Sequence, residues 1–334
     1  MDETDFAALL GRIAAYAAAY RAGAGARTHR PELSFAEVRA RFEAPTPEHG
    51  APVDEVIADL IALAEPGLAA MVGPRFFGWV IGATEPAGMA ADWLTSAWGQ
   101  NTGNYLATPA AASAEEVSAQ WLLDLMDLPR QASVGFCTGA TMASFTCLAA
   151  ARGEVLRRAG WDVEADGLFG APPIEVVLGE EAHSTIFSAL KYLGLGHARV
   201  TKAAVDAQGR MQPGAFAAAM RAAKGRPAIA IAQAGHIHSG CFDPLAEIAQ
   251  VAHEAGAWLH VDGAFGLWAR AAPDLAHLTA GVELADSWSV DGHKWLQTPH
   301  DCAYAIVRDA AAHHRAMQIA ASYLPAGDGG RHPS

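Results

Sequence analysis

The strongest constraint on how this chain can fold lies after residue 132. There, short apolar segments alternate with segments of helical length. Residues 133–136, 174–178, 198–205, 228–232, 257–261, 285–290 and 303–307 read as strands. Helices are expected from the Gly139 region to Arg158, then over 183–193, 213–223 and 245–255. Strands that are apolar on both sides have to be covered on both faces. Strands separated by about a dozen helical residues are joined by crossovers, which makes neighbours parallel. The expected fold class is therefore α/β: a mostly parallel central sheet with helices on both faces. In such sheets, ligands bind outside the carboxyl ends of the strands.

The chain before residue 133 reads differently. Residues 5–20 are alanine-rich, with Phe6, Leu9, Leu10 and Ile13 at helical spacing. Residues 23–52 contain Pro31, Pro45, Pro47 and Pro52 and read as an irregular connector. Residues 53–64 form a second amphipathic helix with Val56, Leu60 and Leu63 on one face. The aromatic, glycine-punctuated stretch 75–84 reads as a buried strand or as the wall of an apolar pocket. A helix is expected to start at Ser113, with Glu116 completing a capping box and Val117, Trp121 and Leu125 facing inward. A length of 334 residues suits two domains or one large α/β domain.

Several function classes are disfavoured. The formal charge of −13 is wrong for sequence-independent nucleic-acid binding, which needs cationic patches against phosphate. The N-terminus is acidic and lacks the cationic start of a signal peptide. Residues 131–151 are long enough to span a bilayer. Yet Gly135, Thr138, Gly139, Thr141, Ser144 and Thr146 interrupt them, so they read as protein interior rather than as a membrane contact. Cys137, Cys147, Cys241 and Cys302 form no C-x-x-C pair and read as reduced thiols of a cytoplasmic protein.

Four loops after strands hold reactive residue types. Thr138-Gly139-Ala140-Thr141 opens a helix with small residues, a pattern that serves anion binding as well as plain packing or capping. His183, in Glu181-Ala182-His183-Ser184-Thr185, suits a helix cap or a ring stacked on a planar ligand. Asp262, in His260-Val261-Asp262-Gly263-Ala264, suits a turn or an anion that keeps a ring nitrogen protonated. The fourth is Asp291-Gly292-His293-Lys294-Trp295. Only four lysines occur in the chain: Lys191, Lys202, Lys224 and Lys294. Of these, Lys294 alone follows an expected central strand, and a lysine desolvated there is of the kind that forms Schiff bases. Phosphate cradle, stacking ring, carboxylate and imine lysine together match pyridoxal 5′-phosphate and few other cofactors.

With these motifs the chain resembles the group II pyridoxal-phosphate-dependent decarboxylases of the aspartate-aminotransferase fold (fold type I). Members act on aromatic amino acids, tyrosine, glutamate or cysteine sulfinate. The resemblance runs from about Pro74 to Val307. It is strongest in EEAHST, GCFDP, WLHVDGAFG and ELADSWSVDGHKWLQTPHDCA. It implies that Lys294 carries the cofactor as a Schiff base, that Asp262 pairs with the pyridine nitrogen and that His183 stacks on the ring. It further implies a phosphate site at Thr138, Gly139, Ala140 and Thr141, with Asp291 and His293 close by. Ala264 would lie under the ring on the face away from His183. Trp79, Val80 and Ile81 match a segment that lines the substrate pocket in this family. Trp79, Phe76, Phe77 and Val80 suit an apolar or aromatic substrate side chain, with packing of the core as the alternative.

The implied reaction is loss of CO2 from an L-amino acid, aromatic by preference, to give the amine. An aldehyde synthase or a decarboxylase of a non-aromatic amino acid is the alternative within the same chemistry. His236 and His238 depart from the Thr or Asn common in relatives, and His236 is read as pocket polarity. A zinc hydrolase built on His236, His238 and the pair His260 and Asp262 is the distant rival; no metal is expected. Asp291 stands where many relatives have Asn, although Asp is also common there. By the same resemblance, residues 1–74 form a helical arm that wraps a partner subunit, giving a homodimer with the active site at the interface. Residues 75–310 form the large cofactor domain, and 311–334 a linker. The glycine-rich stretch 327–330 falls near the start of the family's mobile loop, so a small C-terminal domain is expected to be missing from this chain.

Overall fold

A computed structural model describes residues 3–318. The chain divides into two compact units, Met1–Ala83 and Thr84–Ser334.

The first unit contains α1 (Glu3–Gly23), α2 (Phe35–Phe42) and α3 (Val53–Ala64). α1 and α3 stand where the periodicity puts them. α2 corrects the expectation of an irregular connector. Its signal is local: the Ser34 side chain accepts from the Glu37 amide, and the Glu37 carboxylate accepts from the Ser34 amide at 2.8 Å. That capping box starts a helix between two proline-rich stretches. Residues 75–83 form no strand. Phe77 and Trp79 are 89% and 77% exposed, so core packing does not describe them.

The second unit opens with α4 (Pro86–Trp98) and α5 (Pro109–Leu125). α5 begins before Ser113, because Pro109 has its φ pre-set for the first helical turn and Thr108 takes the cap position. Ser113 is therefore interior to the helix, and no capping box forms there. The inward face also differs from the expected one. Leu122 and Leu123 are buried, whereas Val117, Trp121 and Leu125 are exposed.

From there the chain alternates as the sequence indicates: β1 (Ser133–Cys137), α6 (Ala140–Arg158), α7 (Val163–Asp166), β2 (Glu175–Gly179), α8 (Ser184–Tyr192), β3 (Thr201–Ala203), α9 (Pro213–Ala223), β4 (Ala228–Gln233), α10 (Leu245–Glu254), β5 (Trp258–Asp262), β6 (Ser287–Asp291), β7 (Ala303–Val307) and α11 (Ala310–Met317). α11 occupies the start of the expected linker. The rest of that linker, from residue 319, lies outside the described residues, as does the glycine-rich stretch 327–330. The apolar stretch 131–151 holds β1 and the first part of α6. Among the described residues no helix is long and apolar enough to cross a membrane.

The seven strands form one sheet in the order β1-β7-β6-β5-β4-β2-β3. β7 runs antiparallel to β1 and β6, and the other pairs are parallel. Strand alternation divides the interior into two cores. Ala228, Ala230, Ala232, Leu259, Val261, Trp288, Val290, Tyr304 and Ile306 join α5, α9 and α10 on one face. Ile229, Ile231, Trp258, Ala303, Ala305 and Val307 join α6, α8 and α11 on the other. Two-sided burial is why these strands read as near-continuous apolar runs. β6 is the exception, with Ser287 and Ser289 alternating with Trp288 and Val290. Its small polar side chains face α6, and Ser144 Oγ donates to Ser289 Oγ at 3.0 Å. By strand alternation, Asp262 and Asp291 end adjacent parallel strands on this same face.

Candidate active site

Asp262 is the last residue of β5, in register with Gln233 of β4 and Ser289 of β6. It is 6% exposed. Its Oδ1 accepts one backbone hydrogen bond, from Ala264 N at 3.2 Å. Burial raises its pKa; the Ala264 amide, His183 and Lys294 pull it down, and Asp291 pushes it up. No cation lies within ion-pair distance of Asp262 among the described residues. A buried carboxylate with a single neutral donor is unfavourable as a charge, and a cationic ring N–H is the partner that would relieve it.

His183 is half-buried at the N-cap of α8. Its Nδ1 lies 2.8 Å from Thr185 Oγ1 and accepts from Thr185 N at 3.4 Å. Capping leaves Nε2 to carry the proton and fixes the ring. The two roles open to His183 in the sequence are compatible, because the cap uses one nitrogen and leaves both ring faces available for stacking.

Asp291 closes β6 and is 2% exposed. Oδ2 lies 3.0 Å from Lys294 Nζ, and Oδ1 accepts from Ala140 N at 2.7 Å. Its backbone is fixed on both sides, with Asp291 N donating to Ala264 O at 2.9 Å and Trp268 Nε1 donating to Asp291 O at 2.8 Å. The following turn requires glycine. A Cβ on Gly292 would stand 2.7 Å from Tyr304 Oη and 2.9 Å from Cys302 Sγ. This close packing aims Lys294 back at Asp291. His293 Nδ1 donates to Cys302 O at 2.8 Å and lies 3.8 Å from Asp291 Oδ1. Its ring sits 4.7 Å from that of His300.

The N-terminus of α6 supplies the anion-binding geometry. Gly139 caps it at φ 154 and ψ 163, a region open essentially to glycine. Met142 N and Ala143 N both donate to Gly139 O. Ala140 N goes to Asp291, and among the described residues Thr141 N has no acceptor. Thr138 is exposed just before this turn. A free amide at the positive end of a 19-residue helix suits a phosphate group. Lys294, Asp262, His183, the α6 amides, Asp291, His293 and Ala264 thus gather at the carboxyl end of the sheet. This donor set fits pyridoxal 5′-phosphate.

His236 lies elsewhere in the loop after β4. It is buried, with Nε2 2.9 Å from Glu181 Oε2. Asp243 stands beside it and accepts from Met211 N and Gln233 N, each at 2.7 Å. Burial is the main cause that raises Asp243 to about 6. A small cavity lined by Glu181, Gln233, Asp243 and Asp262 joins this cluster to the candidate site. The sequence reading missed Asp243, although it stands in the GCFDP motif. It also missed Trp268, for which spacing gives no signal. His260 is buried, bonds Ser287 Oγ at 3.0 Å and is pushed down to about 3 by burial. His236 and His260 are thus engaged with other partners. No group of three or more His, Cys, Asp or Glu is placed to hold a metal ion among the described residues.

Trp79, Val80 and Ile81 belong to the first unit, in an irregular stretch. Trp79 and Val80 hold φ of 56 and 53. For a β-branched residue such as Val80 this is a rare, strained conformation.

The family model described as "Pyridoxal-dependent decarboxylase conserved domain" matches residues 36–331. Tryptophan decarboxylase 1 of Oryza sativa subsp. japonica is 29% identical over 310 residues, covering 88% of this chain and 60% of that protein. The 4-hydroxyphenylacetaldehyde synthase of Rhodiola rosea is 26% identical over 84% of this chain and 58% of its own length. A crystal structure of Oryza sativa TDC with PLP and tryptamine superposes with a TM-score of 0.89 at 26% identity, covering 98% of this chain and 68% of that one. The chain therefore spans about 60% of the length of the curated relatives it matches.

Proposed function

Since the chain belongs to the pyridoxal-dependent decarboxylase family, we propose that it removes CO2 from an aromatic L-amino acid to give the amine, with pyridoxal 5′-phosphate bound through Lys294. The observation that carries this reading is the pairing of two adjacent strand ends: the cation-less buried carboxylate of Asp262 on β5, and the buried carboxylate of Asp291 at the end of β6 with the half-buried Lys294 amine of the following turn 3.0 Å from it.

When bound, the cofactor supplies an electron sink for the pair released at Cα. The chain's residues do the rest. Asp262 holds a proton on the ring nitrogen by charge complementarity. His183, fixed at the α8 cap, and Ala264 would pack against the ring. Thr141 N, Ala140 N and His293 would hold the phosphate at the α6 N-terminus. By resemblance, Trp79, Val80 and Ile81 are candidates for contact with substrate, and His236, buried against Glu181 in the loop after β4, is a candidate for pocket polarity.

The aromatic preference is supported by the matched relative named as a tryptophan decarboxylase and by the aromatic stretch Phe76 to Trp79. A second reading, aldehyde formation, is supported by the matched 4-hydroxyphenylacetaldehyde synthase. The exposed apolar side chains of α4 and α5 (Trp93, Leu94, Trp98, Val117, Trp121 and Leu125) support a homodimer. The four free cysteines are in keeping with a cytoplasmic location.

The test is incubation of the protein with pyridoxal 5′-phosphate and each L-amino acid in turn, with mass spectrometry of amines and aldehydes. Amine from tryptophan, tyrosine or phenylalanine is expected. Aldehyde in its place selects the second reading, and no product from any amino acid with the cofactor bound refutes both.

A further inference from the structure

We propose that the Asp291 carboxylate competes with the cofactor's phosphate for the first amide of α6, and so sets how tightly the chain retains its cofactor. The inference rests on the proposed reading of this site as a pyridoxal 5′-phosphate site.

Asp291 Oδ1 accepts from Ala140 N at 2.7 Å, one of the two amides assigned to the phosphate. Its other oxygen, Oδ2, holds Lys294 Nζ at 3.0 Å. The carboxylate thus engages one donor meant for the phosphate and the amine meant for the aldehyde. It is 2% exposed, so water cannot screen it. Its backbone is pinned by Ala264 O and Trp268 Nε1, and the Gly292 turn is packed on three sides, so withdrawal of the side chain by backbone movement is blocked. His293 does not offset it, because Nδ1 is 3.8 Å away and bonds Cys302 O instead.

A phosphate at the α6 N-terminus therefore meets a buried like charge and has to share an N–H donor with it. An amide side chain at this position removes the charge and can donate to the phosphate as well as accept from Ala140 N. Cofactor binding in this chain is expected to be weaker and more reversible than the rest of the donor set allows.

The test compares pyridoxal 5′-phosphate with pyridoxal, which lacks the phosphate, in equilibrium titrations of the full chain followed by visible absorbance. The variants are Asp291→Asn and Asp291→Ser, each checked for folding by thermal melting. Preference for pyridoxal 5′-phosphate over pyridoxal is expected to rise by about tenfold or more in Asp291→Asn and to rise also in Asp291→Ser. Taking the ratio cancels any effect that acts through Lys294 alone. An unchanged or reduced preference overturns the inference while leaving the proposed function standing. Loss of folding in both variants also overturns it, since the carboxylate then serves the fold. A wild-type chain that takes up no pyridoxal 5′-phosphate overturns both this inference and the proposed function.

Discussion

Asp262→Asn separates a chemical role for the β5 carboxylate from a structural one. The substitution preserves shape and can keep the acceptor for Ala264 N, so the local turn survives. It removes the one negative charge placed to hold a proton on the cofactor ring. Two unit charges at hydrogen-bond distance, about 3 Å, in an environment of effective dielectric about 20 attract by about 5 kcal/mol. Expressed fully in the transition state, that is a fall in kcat of about 10⁴-fold. Stability without cofactor should move the other way. Burial raises the Asp262 pKa, so the ionised form is penalised in the folded state. A carboxylate whose pKa is raised on folding loses stability as pH rises from its unfolded pKa to its folded one, and the loss stays in full above that, a penalty the neutral amide escapes. The assay pairs kcat for amine formation with melting of the cofactor-free protein at neutral pH. The expected result is a collapse of kcat with a Tm equal to or above wild type. A kcat within about threefold of wild type, or a Tm several degrees lower with intact chemistry, refutes the role given to Asp262.

Three further outcomes are expected. Asp243 is buried with a pKa raised from 3.8 to about 6, so the folded state binds more protons than the unfolded state between those values. Stability should therefore fall by on the order of 3 kcal/mol as pH rises through that window. Urea unfolding of wild type and Asp243→Asn should show this slope flattened in the variant, and parallel slopes count against it. Gly292→Ala places a methyl 2.7 Å from Tyr304 Oη, and overpacking of this kind costs about 1–3 kcal/mol. Reduced stability and reduced cofactor uptake are expected, and a variant matching wild type in both contradicts the account of the turn. Trp121, 68% exposed on α5, is assigned to a subunit contact. Light scattering should give a dimer mass for wild type and a monomer mass for Trp121→Glu, and a monomeric wild type removes the homodimer.

The parts that were legible in the sequence are those whose signals are local. β7 and α9 end where the sequence puts them, because a strand buried on both faces and an amphipathic helix bounded by Pro213 and Gly225 carry local signals. The placement of Lys294, Asp262 and His183 at the carboxyl ends of strands is legible because each sits in a short motif at a strand end. α2 was hidden among prolines, although Ser34 and Glu37 spelled a capping box. The inverse error came at Ser113, where the same spacing exists but Pro109 had already begun the helix. A capping box is evidence only where no earlier start competes. The apolar stripe of α5 misled for a different reason. Val117, Trp121 and Leu125 have core spacing, yet the sheet packs on Leu122 and Leu123. Periodicity gives the existence of an apolar face and not what covers it. Sequence also could not show that Asp291 engages Ala140 N and Lys294 at once, because those contacts depend on how β6 and α6 come together.

The central claim is that Lys294, among four lysines, holds the cofactor. The most direct measurement is borohydride reduction of the protein with pyridoxal 5′-phosphate, followed by peptide mapping with mass spectrometry. The account predicts a phosphopyridoxyl adduct on the peptide carrying Lys294 and none on those carrying Lys191, Lys202 or Lys224. An adduct confined to one of those three, or a protein that traps no cofactor, contradicts it.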